Sequence, residues 1–338
     1  NGLTVIASIH LYHTYRQPRL LHGLEAILMN PANLHRLELN HRAMVREIQG
    51  LPKRTAVPAI QILSGVLPIE AIIDKRKVCM IPSLGENPAL KQLVHRQVAV
   101  KVSKTSSWVS ATQDTLHKYK LPNISYLIEG LFEKEEWKVE VEKAIHGHWK
   151  DQIEKTAEEM STLRYLNKTF TPGVPHLVWT STGSCPREVR KATFKARMLA
   201  GTYILQSNRA AFNQTQCVTC PLCKEGEEDM AHFLTVCPTL TTYRDPIMAR
   251  LQSIIPMTYQ DHPLRGWSSE DLTQLILDPT HPSIVAKVPL DKHLLFQAEK
   301  QSRLLCFVLH RARMEKLNNI QNSSKGKHYP SSRGKSST

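Results

Sequence analysis

Apolar residues recur at three- and four-residue intervals over most of this chain, and runs of strict alternation are scarce. That period belongs to helices with one buried face. The clearest case is 33–50. Leu34, Leu37, His41, Met44, Val45 and Ile48 share one side of it, Asn33 stands where a capping side chain would, and Gly50 precedes Leu51-Pro52 as a stop signal. His41 lies inside the apolar stripe and is read as a core or boundary histidine. Pro58, Gly65 and Pro68 cut 56–77 into short helices, the second turning Ile69, Ile72 and Ile73 inward. Asn87-Pro88 opens another helix in the order cap, then proline, with Leu90, Leu93 and Val94 on its apolar side. A helix near 134–155 places Trp137, Val141, Ala144, Ile145, His148 and Trp149 in register, a core stripe rather than a platform for stacked bases.

Residues 167–186 are rich in Pro, Gly, Ser and Thr and read as a connector. Helices are expected at 186–205, 246–277 and 290–319. The tail 321–338 holds Lys and Arg with Ser and Gly, lacks acids and has almost nothing to bury, so it is expected to be disordered. No fixed-period repeat appears. The fold class expected from the pattern is mainly α.

Composition sharpens this. The chain is 338 residues long, with 41% hydrophobic and 22% charged residues, enough apolar material for a buried core in one to three domains. No apolar run approaches the roughly 20 residues that would span a bilayer. The net charge of +14 favours a polyanionic partner, nucleic acid ahead of a membrane surface. Candidate phosphate contacts are Lys101 and Lys104, and the helix carrying Arg187, Arg190, Lys191 and Lys195, whose spacing of i, i+3, i+4 and i+8 makes a basic stripe. The same residues would serve equally as a solvated helix face.

The cysteines carry the most specific signal. Of seven, Cys217, Cys220, Cys223 and Cys237 crowd together, while Cys79, Cys185 and Cys306 stand apart. Cys220, Cys223, His232 and Cys237 give C-x2-C-x8-H-x4-C. Three thiolates and an imidazole complete a tetrahedral zinc shell, which leaves no open position for substrate water and so favours a structural site. The tight Cys220-Pro221-Leu222-Cys223 turn aims two sulfurs at one point, and the four-residue gap from His232 to Cys237 suits a helical turn and its end. Cys217 makes a second ligand-like pair with Cys220, so its membership stays open. Between Cys223 and His232, Lys224 faces Glu225, Glu227, Glu228 and Asp229, a net charge of −3 that would repel phosphates.

No nucleophile elbow, phosphate-cradling glycine loop, dinucleotide fingerprint or H-E-x-x-H occurs, and no Asp-Asp pair sits in an apolar strand setting. His146 and His148 are two residues apart on a helix and point away from each other. No catalytic residue is assigned.

Several stretches resemble one family. LYHTYRQPRLLHGLE at Leu11–Glu25, the text from Asn33 to Arg76, GTYILQSNRA at Gly201–Ala210 and CPLCKEGEEDMAHFLTVCPTL at Cys220–Leu240 are similar to the end of the palm, the thumb and the carboxyl-terminal zinc knuckle of non-LTR (LINE-type) retrotransposon reverse transcriptases. The resemblance covers 1–245. It implies an end of palm and thumb-like helical region over 1–85, a helical region over 86–166, a connector with a basic helix over 167–212 and a CCHC zinc knuckle over 213–245; beyond it the residue pattern alone gives C-terminal helices over 246–320 and the basic tail over 321–338. It also implies zinc as cofactor, RNA or DNA as partner, and a nuclear or ribonucleoprotein setting. The family's Tyr-x-Asp-Asp strand has no counterpart here, nor does the acidic–lysine pattern of an endonuclease follow Cys237. Asn1 rather than Met opens the sequence, and a piece of a longer reading frame is expected. Two other readings stay open: a zinc-stabilised protein-interaction module, and a decayed or domesticated element.

Overall fold

The structure, a computed structural model, describes residues 3–100, 107–130, 133–212, 217–255, 264 and 266–325. These are mainly helical, and the strand-like feature among them is an isolated antiparallel bridge between Thr219 and Glu227. The chain divides into two compact units, Asn1–Val189 and Arg190–Thr338.

In the first unit, α1 (Val5–Leu11) runs through a π-helical turn at Tyr12–Arg16 into α2 (Gln17–Leu20). Helix α3 (Pro31–Ile48) starts three residues earlier than its apolar stripe suggests. Asn30, not Asn33, accepts the hydrogen bond from Ala32 N at 2.8 Å, because Pro31 supplies a first helical position that needs no donor. Gly50 follows the helix with φ +63° as expected. His41 is 3% exposed, within 2.6 Å of the Tyr12 hydroxyl and 3.0 Å of the Leu67 carbonyl, a satisfied core histidine.

Helix α4 (Val57–Ser64) ends at Gly65, φ +71°, and α5 (Ile69–Gly85) follows. A side chain at Gly65 would meet the Val174 backbone at 2.7 Å, so glycine alone lets the connector lie against this corner. Glu38 of α3 accepts the hydrogen bond of Ile69 N at 2.8 Å and so caps α5, whose own cap position is Pro68. Ile69 and Ile73 are buried against Leu21, with Leu34, Leu37 and Ile72 packed around them.

Helices α6 (Pro88–Ala99), α7 (Trp108–Lys118), α8 (Ile124–Leu127) and α9 (Lys134–Glu158) close a second core on α5. Trp137, Val141 and Ile145 form its floor, and the Trp137 indole donates to Val78 O at 3.1 Å. On α6 the expected apolar side is only partly buried: Val94 is 5% exposed, whereas Leu90 and Leu93 are 40% and 51% exposed. No single helix among the described residues is long and apolar enough to cross a membrane. Helices α4 and α5 pass that test as a pair bent by 62°, yet Ile60, Leu63, Ile69 and Ile81 are all buried in the unit. The connector holds a short helix, α10 (Leu177–Thr180), whose Trp179 indole donates to Gln49 Oε1 at 3.2 Å.

The boundary between units falls within α11 (Pro186–Leu199). The second unit continues with α12 (Gln206–Phe212), α13 (Thr241–Ile254), α14 (Ser269–Leu277), α15 (Pro282–Val285) and α16 (Lys292–Lys325). The long α16 is its spine, with α13 packed along it. Ile255, Leu264, Leu275, Ile284 and Val288 make a satellite core at α14 and α15. Residues 321–325, expected to be disordered, continue α16 as helix, and 326–338 lie outside the described residues.

Candidate metal centre

The metal-binding sequence folds as a turn followed by a short helix. After Cys220 the chain reverses tightly. Lys224 N donates to Cys220 O at 3.0 Å, and Cys220 N donates to Gly226 O at 2.9 Å. Lys224 and Gly226 both take left-handed backbone, φ +65° and +70°, which lets the loop close on itself. Glu225 N points at Cys223 Sγ, 3.4 Å away, a backbone donor aimed at a sulfur.

On the other side, Asp229 Oδ1 accepts from His232 N at 2.7 Å and starts a π-helical turn over His232–Val236. The wider turn is what a four-residue gap requires. Cys237 N donates to the carbonyl of His232, five residues back, at 2.7 Å. Cys237 closes the turn, and Pro238 opens the 3-10 turn Pro238–Leu240 that leads into α13.

All four donor atoms of Cys220, Cys223, His232 and Cys237 lie within 4.8 Å of one another. Cys220 Sγ is 3.9 Å from Cys237 Sγ, and Cys223 Sγ is 3.3 Å from His232 Nε2. A tetrahedron with metal–sulfur bonds of about 2.3 Å has edges of about 3.8 Å, so the arrangement is the size of a metal shell. These residues are placed to hold a metal ion, and the donor set is compatible with zinc. Cys220 and Cys237 are each 1% exposed. Burial, and behind it Cys220, pushes the Cys237 thiol up to about 12; burial raises the Cys220 thiol as well and holds the His232 imidazole low. The fold thus keeps the imidazole lone pair available and favours the thiolates only where a cation compensates them. Arg244 of α13 steadies the last ligand by donating from Nη2 to Cys237 O at 2.6 Å. Cys217 is exposed, takes a hydrogen bond from Thr219 N at 3.4 Å, and stands outside the converging set.

The loop between the ligands differs electrostatically from its sequence. Glu228 is 1% exposed and is matched by Arg313 of α16, so it adds no charge to the surface. Gln206 N donates to Glu228 Oε2 at 3.0 Å, Ser207 Oγ donates to Glu228 O at 2.9 Å, and the Tyr203 ring stacks on Phe233 with centroids 5.5 Å apart. Tyr203, Gln206, Ser207 and Arg313 are therefore parts of the metal module. The first three lie in the GTYILQSNRA stretch, which was the one signal available for them; Arg313, 85 residues from its partner, had none.

The candidate phosphate-binding residues on α11 differ in exposure. Arg187 and Arg190 are exposed on α11 and Lys191 is half-buried. Lys195 is corrected: it is fully buried, its Nζ 2.5 Å from Glu299 Oε2 and 2.6 Å from Ser302 Oγ, and it cannot meet a phosphate. Lys101 and Lys104 lie outside the described residues. No protein-family model, curated protein or solved structure matches this chain.

Proposed function

We propose that this chain is a zinc-stabilised nucleic-acid-binding segment of the kind found on the carboxyl-terminal side of LINE-type reverse transcriptases. It grips template RNA or target DNA for a polymerase centre carried elsewhere in the parent protein. The observation that carries the reading is the joining of two separate stretches that resemble that family. Gly201–Ala210 and Cys220–Leu240 meet through Glu228 and Phe233 around one metal-sized set of donors. The charge of +14 supplies the attraction. Zinc would cross-link the turn at Cys220 to the π-turn at His232 and so fix the module on α16. Its role is structural, since the chain itself fills every ligand position.

Two measurements test this. Elemental analysis of the purified chain should find one zinc per molecule, lost in Cys223→Ser and kept in Cys217→Ser; a zinc-free wild type refutes the metal assignment. Anisotropy with labelled RNA and DNA should show affinity falling linearly in log–log form as salt rises from about 50 mM to about 200 mM. Absence of binding at low salt, or binding indifferent to salt, ends the nucleic-acid reading.

A further inference from the structure

Helix α11 carries a partly exposed stripe that differs from the one its basic residues suggest. Arg190, Phe194 and Arg197 are spaced i, i+4 and i+7; Arg190 is exposed, and the other two are half-buried. Phe194 stacks on His310 of α16, with centroids 4.0 Å and planes 28° apart, and Phe307 closes on it at 5.6 Å. The Arg197 guanidinium lies over the same Phe194 ring, 5.5 Å from its centroid. Arg311 follows His310, is exposed, and stands one turn beyond Phe307. Burial first, and then the cations Arg313, Arg197 and Arg190, push the His310 imidazole down to about 4.

The stack is anchored from the metal centre. His310 Nδ1 and the Tyr203 hydroxyl share a hydrogen bond of 2.9 Å. Tyr203 lies against Phe233, with planes 23° apart, and Phe233 follows the ligand His232 directly.

We propose that Arg190, Arg197 and Arg311 form one phosphate-binding face for a strand of nucleic acid, positioned from the metal centre through Phe233, Tyr203 and His310. The inference rests on the nucleic-acid reading above and adds where the strand lies and what orders that surface. Arginine suits the task because its planar fork takes two phosphate oxygens at once. A guanidinium laid over a ring gains a cation–π attraction that helps to hold it in place.

The test uses the full zinc-loaded chain and anisotropy with a labelled single-stranded RNA, a DNA of the same sequence, and anionic phosphatidylserine vesicles, each over a salt series. Arg190→Ser with Arg311→Ser alters two exposed side chains and should leave zinc content and helicity intact. Affinity for RNA or DNA should fall about tenfold or more at low salt, and the log–log slope should become shallower by about two. Tyr203→Phe keeps the ring and removes the hydroxyl; it should weaken binding about threefold with the slope unchanged, as loss of positioning rather than of charge. A double variant that binds within about twofold of wild type at the same slope overturns this face while leaving the nucleic-acid reading intact. Wild type that binds no nucleic acid ends both, and wild type that prefers vesicles to RNA overturns the choice of partner.

Discussion

Glu228 and Arg313 meet as a two-pronged ion pair: Arg313 Nε donates to Glu228 Oε1 at 2.7 Å, and Nη2 donates to Oε2 at 2.9 Å. The carboxylate belongs to the turn that presents the metal ligands, and the guanidinium belongs to α16. The carboxylate also caps the backbone at Gln206 and bears on Tyr203. One buried pair therefore ties three sequence-distant pieces of the second unit together. Its charge-assisted bonds raise the Arg313 guanidinium against the burial that would lower it.

Removing either partner should destabilise the second unit by about 3–5 kcal/mol, because each leaves a buried charge unmatched. Glu228→Gln and Arg313→Met, followed by urea denaturation, check this. The double variant should recover part of the loss. A single variant as stable as wild type would show that the pair does not hold the turn to the helix.

Much of the helical framework was legible, because the 3.6-residue period at 33–50 and 134–155 marks a buried face whatever packs on it. The metal ligands were legible because their spacing is local. What escaped depended on partners far along the chain. Asn33 looked like the cap of α3 because the apolar stripe begins beside it, while Pro31 had already opened the helix after Asn30. Lys195 falls in line with the basic residues near it, yet Ala192, Lys195, Ala196 and Leu199 also follow i, i+3, i+4 and i+7, the spacing of an inward face. A lysine breaks an apolar pattern unless its counter-ion is known, and Glu299 is 104 residues away.

Lys195→Met should accordingly act on stability and not on nucleic-acid affinity. Glu299, fully buried, would lose its cation, at a cost of about 3–5 kcal/mol. The double change Lys195→Met with Glu299→Leu should be milder than the lysine change alone, since two apolar side chains of similar size leave no orphaned charge. Thermal melts with matched binding isotherms separate the two effects. A loss of affinity in Lys195→Met without a fall in Tm would return this residue to the binding surface.

His310 gives the second unit an acid sensitivity. Its imidazole is pushed down to about 4 by burial and by Arg313, Arg197 and Arg190, whereas in the unfolded chain it titrates near about 6.5. Between those values the unfolded chain binds more protons than the folded one, so stability rises with pH across that window. The contribution is complete above about 6.5 and is lost progressively as pH falls towards about 4. His310→Gln should flatten the dependence of Tm on pH over this range relative to wild type. Parallel curves for the two proteins would show that His310 does not titrate differently on folding.

The same substitution should have opposite signs at two glycines of the first unit. Gly85 ends α5, and a side-chain carbon there would lie 2.3 Å from the carbonyl oxygen of Ile128, just beyond α8. That oxygen is backbone and cannot turn aside, so Gly85→Ala must push α5 and the α8 region apart, at about 1–3 kcal/mol. Gly147 sits in the middle of α9, exposed, with no heavy atom within 4 Å of where its side chain would begin. There alanine meets nothing and removes the conformational freedom that glycine gives the unfolded chain, so Gly147→Ala should stabilise by about 0.5–1 kcal/mol. Urea midpoints of the two variants, measured on the full chain, should move in opposite directions from wild type. A stable Gly85→Ala would mean that α5 and the segment after α8 are not in close contact, and with it the packing of the core around Val78, Ile81 and Trp137 would have to be redrawn.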